Sequence, residues 1–287
     1  MTETDRKYIA LIGTPLDQSF AARMQNRAYE AMGVNFHYTC CEAGTEHLGE
    51  IVTGIRFMPN YAGFAVTKPN KVKVLEYLDA LDPLCKKIGA CNTVVKSADG
   101  KLTGFNTDAE GFGMSLMNIE RDKENAVKSM EKVFCIGSGG AARAISFALA
   151  EKGCEKIYLC SEHGKSAKRL AEDINAFYPG LAGAEEKEKI SECDMIINAS
   201  GVGMGESAGE SPVSKELLHP GQLCFDACYN PEKTRFLLDA EEQGCRIMNG
   251  LEMSLYQGAR QIELWTGRRA PVELMREEII RCMMRKA

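Results

Sequence analysis

The sequence lacks the patterns of membrane, secreted and nucleic-acid-binding proteins. Its longest apolar stretch, residues 133–150, is interrupted by three glycines and an arginine, so it is a poor membrane span. The first residues show no basic segment followed by an apolar one, so we expect no secretory signal and a cytoplasmic protein. With 35 Lys and Arg against 40 Asp and Glu, a net charge of −5 and no basic block, we expect neither nucleic acid nor a membrane as partner.

The 12 cysteines contain no CxxC pair. Most lie inside apolar runs, such as Cys135 and Cys160, and are expected to be reduced, buried thiols. Cys224 and Cys228 are four residues apart but are not accompanied by histidine at zinc-ligand spacing. We therefore expect no structural metal.

Short apolar runs and helical stripes alternate along the 287 residues, a length that suits two domains. Residues 8–12 and 36–41 read as strands, and residues 48–55 carry apolar side chains at helical spacing. A helix is predicted from about residue 71, residues 120–131 are a polar surface stretch, and the alternation restarts at residue 132. Repeated βα units predict parallel sheets with helices on both faces.

A glycine-rich segment, residues 134–143 (FCIGSGGAAR), fits the pattern G-x-G-x-x-A between a strand and a helix. Gly137 allows a tight turn, Gly139 leaves room for a pyrophosphate, and Ala142 permits close helix packing. Gly140 and Ala141 open the helix, whose N-terminus attracts phosphate. A turn without a ligand is the alternative, but the flanking elements favour dinucleotide binding.

The next predicted strand is followed by Glu162, 25 residues after Gly137. An acid near this position binds the adenosine ribose hydroxyls in such folds and repels a 2′-phosphate, which favours NAD. Lys165 and Lys168 could instead hold that phosphate, and Glu162 could be a solvated loop residue. NAD is therefore preferred, and NADP stays open.

Four polar residues, Thr67, Lys71, Asn92 and Asp108, lie on loops after apolar strands in the first part of the chain. Taken singly, each has a plain structural explanation, such as a helix start, a turn or a helix N-cap.

Together these segments resemble, in order, those of the shikimate dehydrogenase family. The matching motifs are Pro69-Asn70-Lys71, Asn92-Thr93, Asn106-Thr107-Asp108, the GSGGAAR loop, Ile197-Asn198-Ala199 and residues 226–231 and 250–258. The resemblance covers nearly the whole chain, and PNK, CYNP and YQGARQIELWTG are most similar to the quinate/shikimate branch. It implies a hydride transfer between NAD(P) and a ring hydroxyl of shikimate or quinate, a small cyclic hydroxy acid as partner, and a monomer or homodimer.

The resemblance implies that Lys71 and Asp108 form the catalytic pair at the oxidised hydroxyl. Lys71 either takes the proton or stabilises the alkoxide, since an adjacent carboxylate favours the charged ammonium. The resemblance assigns substrate contacts to Ser19, Thr67, Asn92, Tyr229 and Gln257, and cofactor contacts to Asn198, Gly250 and Met253. Core packing is an equally good interpretation of Met253.

The sequence departs from the family in the loop that holds the substrate carboxylate. The family pattern His-Ser-x-Ser-Pro reads Gln18-Ser19-Phe20-Ala21-Ala22, so one serine is lost at Ala21. Two residues near Thr67 also differ from the family. Ala65 stands where the family often has Asn or Ser, and Lys68 stands where it usually has an apolar residue. Losing a hydroxyl donor to a carboxylate costs about 1.5–3 kcal/mol unless a cation such as Arg23 or Lys68 compensates. Another cyclic polyol or an amino-substituted analogue is thus an alternative substrate.

A second alternative is a non-catalytic, cofactor-binding regulator, against which the retained Lys71 and Asp108 speak. We predict an α/β protein of two domains. Residues 1–108 plus 251–287 form a discontinuous α/β substrate-binding domain. Residues 109–250 form a Rossmann-like, doubly wound NAD(P)-binding domain, with the active site expected in the cleft between the two.

Overall fold

The structure, a computed structural model, describes residues 5–17, 19–121, 130–162 and 164–284. Gln18 and most of the predicted surface stretch 120–131 lie outside these residues. The chain forms two compact units, Met1–Gly111 with Leu255–Ala287 and Phe112–Ser254. The division falls within a few residues of the predicted boundaries, and the predicted assignment of substrate and cofactor to the two units stays a prediction.

The helices and strands alternate along most of the chain. In chain order they are β1 (Lys7–Gly13), α1 (Ala21–Met32), β2 (Phe36–Glu42), α2 (Leu48–Phe57), β3 (Tyr61–Val66), β4 (Ala80–Leu81), α3 (Pro83–Ile88), β5 (Thr93–Lys96), β6 (Leu102–Phe105), α4 (Thr107–Arg121), β7 (Lys132–Ile136), α5 (Gly140–Glu151), β8 (Lys156–Cys160), α6 (Lys165–Asn175), β9 (Ala182–Ala184), β10 (Met195–Asn198), β11 (Leu223–Asp226), α7 (Arg235–Glu242), β12 (Arg246–Asn249), α8 (Leu251–Thr266) and α9 (Val272–Met284).

The sheet of the first unit is mixed, with strand order β2-β1-β3-β5-β6-β4. β1 pairs in parallel with β2 and β3, whereas β5 is antiparallel to both β3 and β6. The predicted α/β class is confirmed, but parallel pairing throughout is wrong for this unit. Only residues 97–101 join β5 to β6, and a connection this short allows an antiparallel pair, whereas a parallel pair needs a long crossover.

The helix predicted from about residue 71 is also wrong. The chain makes a 3₁₀ helix at Lys73–Tyr77, then β4, and only then α3. Leu78 is extended, which ends the 3₁₀ helix. Asp82 caps α3 by accepting a hydrogen bond from the Cys85 N–H at 2.7 Å, and Pro83 occupies the first helical position.

The sheet of the second unit is parallel throughout, with strand order β12-β11-β10-β7-β8-β9. The chain enters at β7, adds β8 and β9 on one side, and then returns to add β10, β11 and β12 on the other. The order therefore reverses between β7 and β10, and ligands of doubly wound sheets bind beyond the strand ends at such a point.

Each unit has its own apolar core. One core is built around Phe64, Leu48 and Val52, and the other around Phe134, Ile196 and Phe236. All twelve cysteines lie in the described residues as free thiols, most of them buried. Among the described helices, none is both long and apolar enough to cross a bilayer. A cytoplasmic location stays a prediction.

Candidate active site

The strand directions of the first unit bring its polar loops to one edge of the sheet. Thr93, the first residue of β5, pairs with Ala65 near the end of β3 and with Phe105 at the end of β6. Because β5 runs against both neighbours, its beginning lies where they end. Asn92 therefore lies beside the loop after β3, which carries Lys71, and beside the start of α4 after β6, which carries Asp108.

Lys71 and Asp108 form a largely buried ion pair at this edge. Lys71 Nζ donates to Asp108 Oδ2 at 2.7 Å, and the two side chains are only 17% and 8% exposed. Asp108 lies in the first turn of α4, where a carboxylate interacts favourably with the helix dipole. The helix N-cap is Asn106, whose Oδ1 accepts the Ala109 N–H at 3.2 Å, so the carboxylate of Asp108 is left for Lys71 and Asn92.

Asn92 holds the other oxygen of the pair's carboxylate. Its Nδ2 donates to Asp108 Oδ1 at 2.8 Å, to Thr107 Oγ1 at 3.0 Å and to Gln257 Oε1 at 3.3 Å. Its Oδ1 accepts the backbone N–H of Thr107 at 2.8 Å, and because a backbone N–H can only donate, this bond distinguishes the amide oxygen from the NH₂ group. The structure thus brings together four predicted residues, Lys71, Asn92, Asp108 and Gln257. Thr107, which joins them, was not predicted.

Ser19 and Thr67 lie on two adjoining loops at the same edge and outside this cluster. The Thr14 N–H donates to the carbonyl of Lys68 at 3.0 Å, which links the loop after β1 to the loop after β3. Thr67 is half-buried, and its N–H donates to Ile12 O at 2.9 Å. Ser19 Oγ accepts the Ala21 N–H at 3.3 Å, so its hydroxyl hydrogen is not used in that bond.

Neither of the two cations suggested as compensation for Ala21 joins the cluster. Arg23 is exposed on α1, and its Nη1 lies 3.9 Å from Sγ of Cys282 on α9. Lys68 is exposed on the loop after β3. A role for either cation at a substrate carboxylate stays a hypothesis.

The glycine-rich loop of the second unit has the geometry of a phosphate-binding turn. Gly137 has φ +118°, and a Cβ there would lie 2.6 Å from the carbonyl oxygen of Ala199, so only glycine fits. Gly139 directly precedes α5. A Cβ placed on Gly139 would have open space around it among the described residues, and no side-chain hydrogen bond caps the helix there. Ala142 is fully buried, as close packing of the helix requires. Gly140 and Ala141 form the first turn of α5, as predicted.

Glu162, which the sequence predicts to discriminate between NAD and NADP, lies after β8. Glu162 is exposed, two residues after β8 ends, and Lys165 begins α6. Ser138 of the glycine loop donates to Ser166 Oγ at 2.8 Å, which ties that loop to the start of α6. Glu162 and the glycine loop therefore flank the same helix start.

Asn198, predicted as a cofactor residue, uses its amide within the protein. Its Nδ2 donates to Val202 O at 2.9 Å and to Asp226 Oδ2 at 3.1 Å. Its Oδ1 accepts the Ser200 hydroxyl at 2.6 Å. Burial raises the pKa of Asp226, while hydrogen bonds from Thr234 and other donors lower it. Asp226 and Thr234 were missed, although Asp226 opens a motif already recognised in the sequence.

Three further predicted residues lie after β11 or at the start of α8. A Cβ on Gly250 would collide with the carbonyl oxygen of Ala227, so the turn before α8 requires glycine. Met253 is only 6% exposed, and Tyr229 is half-buried after β11. Their roles towards cofactor and substrate stay predictions.

The chain is a two-domain α/β protein with a Rossmann-like domain. One unit is mixed α/β and contains the buried Lys–Asp–Asn cluster, and the other is doubly wound and contains the glycine-rich turn. The family model described as the shikimate dehydrogenase substrate binding domain matches residues 11–94, and the one described as the shikimate 5′-dehydrogenase C-terminal domain matches residues 250–280.

Whole-chain relatives agree. Shikimate dehydrogenase (NADP(+)) of Bacillus cereus is 37% identical over 278 residues, which is 96% of this chain and 98% of the relative. The structure of shikimate 5-dehydrogenase from Listeria monocytogenes with shikimate and NAD has a TM-score of 0.83 at 35% identity, covering 97% and 98% of the two chains. Quinate dehydrogenase from Corynebacterium glutamicum with NAD has a TM-score of 0.86 at 26% identity, covering 96% and 99%. The chain belongs to the shikimate dehydrogenase family.

Proposed function

We propose that this protein is an NAD(P)-dependent oxidoreductase that interconverts a ring hydroxyl and a ketone on shikimate or quinate. The observation that carries the proposal is the buried Lys71–Asp108 pair with Asn92 bound to it. A pair of this kind is what an alcohol oxidation needs, because the hydroxyl proton must leave and negative charge develops on the oxygen. A regulator without turnover would need no such pair.

Lys71 would act at the reacting oxygen, either by exchanging a proton with it or by donating a hydrogen bond to the developing alkoxide. Asp108 orients the ammonium, because its Oδ2 accepts from Lys71 at 2.7 Å. Asn92 keeps that carboxylate from rotating by donating to Oδ1. Gln257 accepts from the Asn92 amide at 3.3 Å and would contact a substrate hydroxyl.

The glycine loop fits a dinucleotide, since glycine is required at Gly137 and the start of α5 carries no side-chain cap. Gly137, Gly139 and the first turn of α5 would hold the pyrophosphate, while Asn198 would shape the adjoining loop. When bound, the nicotinamide supplies the acceptor and donor of the hydride.

We further propose that Glu162 makes the enzyme prefer NAD. The carboxylate is exposed beside the start of α6 and would repel a 2′-phosphate. Two like charges about 4 Å apart in water repel by about 1 kcal/mol, so Glu162→Gln should raise the NADP/NAD ratio of kcat/KM about 5-fold. Glu172→Gln removes another exposed charge farther along α6 and should leave the ratio unchanged. An equal change in both variants would contradict the assignment.

The loop containing Ser19 is proposed to hold the substrate carboxylate with one hydroxyl donor. Ala21→Ser would add a second donor and should lower KM for shikimate by about 10-fold or more. Because this donor is missing, a cyclic polyol without a carboxylate, or an amino-substituted analogue, is the second candidate substrate. If KM for acids does not change in Ala21→Ser while polyols are turned over, the second candidate is favoured.

The deciding experiment is a steady-state matrix of shikimate, quinate and a non-carboxylated ring polyol, each with NAD and with NADP. Reduction of the cofactor with shikimate or quinate, abolished by Lys71→Met and unaffected by Lys73→Met, would establish the proposed function. Turnover of the polyol alone would move the assignment to the second candidate. Tight cofactor binding without turnover of any ring alcohol would contradict the catalytic proposal and favour a regulator.

A further inference from the structure

A series of buried hydrogen bonds leads from α1 to the Lys71–Asp108 pair through three residues that the proposed function does not use. These are Gln25 on α1, Gln261 on α8 and Thr93 at the start of β5, which we call the glutamine relay. They are 0%, 3% and 0% exposed. We infer that the glutamine relay is a positioning device that, together with the Thr107 N–H, holds the orientation of Asn92 and, through it, of Asp108. The inference rests on the proposed function only for its catalytic consequence.

The orientation of both glutamine amides is determined by backbone carbonyls, which can only accept. Gln25 Nε2 donates to Gly258 O at 3.1 Å and to Gln261 Oε1 at 3.2 Å. Gln261 Nε2 donates to Thr93 Oγ1 at 2.9 Å and to Asn92 O at 3.4 Å. Each amide therefore presents its NH₂ group towards the active site.

The direction of donation continues through Thr93. Its oxygen accepts from Gln261, and its own hydrogen has two acceptors, Asn92 Oδ1 at 3.0 Å and Thr107 Oγ1 at 3.1 Å, the second of which also lies 3.2 Å from Asn92 Oδ1. Thr93 and the Thr107 N–H thus both hold the amide oxygen, so the Asn92 NH₂ group is directed to Asp108 Oδ1 at 2.8 Å, and Asp108 Oδ2 accepts from Lys71. Along the route in which Thr93 donates to Asn92, the links from Gln25 to Asp108 donate in one direction, so each polarises the next and the series ends on a carboxylate.

The presence of a glutamine at position 25 is better explained by the hydrogen bonds that its NH₂ group donates than by packing. Its Oε1 is buried and has no hydrogen-bond partner among the described residues. Burying an unpaired amide oxygen is unfavourable, and methionine would fill a similar volume without that cost. The contribution of Gln25 therefore lies in the two hydrogen bonds that its NH₂ group donates.

A purely structural alternative is that the hydrogen bond from Gln261 to Thr93 only stabilises the packing of α8 against β5. Trp265 provides the matched control, because it lies one helical turn after Gln261 and its Nε1 donates to Val94 O at 3.0 Å. This bond is buried and joins the same two elements, but it ends on the backbone of the residue after Thr93. Trp265→Phe thus removes a comparable fastening and leaves the relay intact.

The first test is kinetic. Gln261→Met and Thr93→Val should each lower kcat about 10-fold with little change in KM for the cofactor, as expected for one lost buried hydrogen bond. Thr93→Ser keeps the hydroxyl and should remain near wild type, and Trp265→Phe should lower Tm without lowering kcat. In an Asp108→Asn background Gln261→Met should cause no further loss. An equal loss in both backgrounds, or equal kcat losses for Gln261→Met and Trp265→Phe, would overturn the inference.

The second test does not depend on turnover. In protein labelled with ¹⁵N at asparagine, with the Asn92 side-chain amide assigned through Asn92→Ala, Gln261→Met should shift this resonance and speed its hydrogen exchange about 10-fold. Trp265→Phe should leave it in place. An unchanged Asn92 amide in Gln261→Met refutes the relay even if the enzyme is active. A shifted amide in a protein without turnover refutes the proposed function and leaves the relay standing.

Discussion

Replacing Lys71 tests whether Lys71 and Asp108 act as one catalytic unit. Lys71→Met keeps a side chain of similar length and removes the ammonium that lies 2.7 Å from Asp108 Oδ2. Proton transfer by a positioned side chain contributes about 10²–10⁴ to the rate, so we expect kcat to fall by about 10³. Asp108→Asn should cost a similar factor, because an amide has one acceptor oxygen for two donors, Lys71 Nζ and Asn92 Nδ2.

The double variant shows whether Lys71 and Asp108 act together or contribute independently to the rate. If the two groups act together, Lys71→Met/Asp108→Asn loses no more activity than the worse single variant, whereas independent losses would multiply to about 10⁶. Each single variant also leaves a largely buried group without its partner, which costs about 1–3 kcal/mol. We therefore expect urea denaturation to show the double variant to be more stable than Lys71→Met.

The control for this series is Lys73→Met. Lys73 also forms an ion pair at 2.7 Å, with Glu76, but the two side chains are 43% and 60% exposed. Its removal should leave kcat and KM at wild-type values. Multiplicative losses in the double variant, or more than about a tenth of wild-type kcat in Lys71→Met, would refute the reasoning.

Three further predictions concern the second unit. Gly137→Ala should lower the free energy of unfolding by more than about 1 kcal/mol and weaken cofactor binding in calorimetry, because φ is +118° and the new Cβ would lie 2.6 Å from Ala199 O; unchanged binding would contradict the phosphate-binding role. Burial raises the pKa of Asp226, so its stabilising contribution is complete below the unfolded pKa and is lost as the pH rises through the higher folded pKa. The unfolding free energy of wild type minus Asp226→Asn should therefore fall from about pH 4 upwards in urea titrations, and a pH-independent difference would refute this. Gly250→Ala should lower Tm, because its Cβ would collide with Ala227 O, and an unchanged Tm would show that the turn can relax.

The candidate catalytic cluster shows how much of a site residue patterns can predict. Lys71, Asn92 and Asp108 each had a plain structural explanation, and only their resemblance in order to a family made them a site. What the pattern missed is how they are connected. Thr107 joins Asn92 to α4, and this could not be anticipated because the antiparallel direction of β5, which brings Asn92 to the start of α4, was not predicted.

The glutamine relay was beyond sequence reasoning for a different reason. Gln25 lies on an amphipathic helix and Gln261 on another, 236 positions apart, and polar residues on helices usually face solvent. Their burial depends on how α1, α8 and β5 pack together. Cysteines in apolar runs were easier to place, since a strand buried on both faces buries all its side chains.

Residue patterns alone were enough to predict the α/β class, the glycine-rich turn and the family, because strand and helix periodicity and the need for glycine at positive φ are local properties. Tertiary structure alone decided that Gly137 must avoid Ala199, that β5 runs against its neighbours, and that the Asn198 amide binds Asp226 and not open solvent. These features depend on atoms brought together from distant parts of the chain, and such contacts exist only after the sheets have formed.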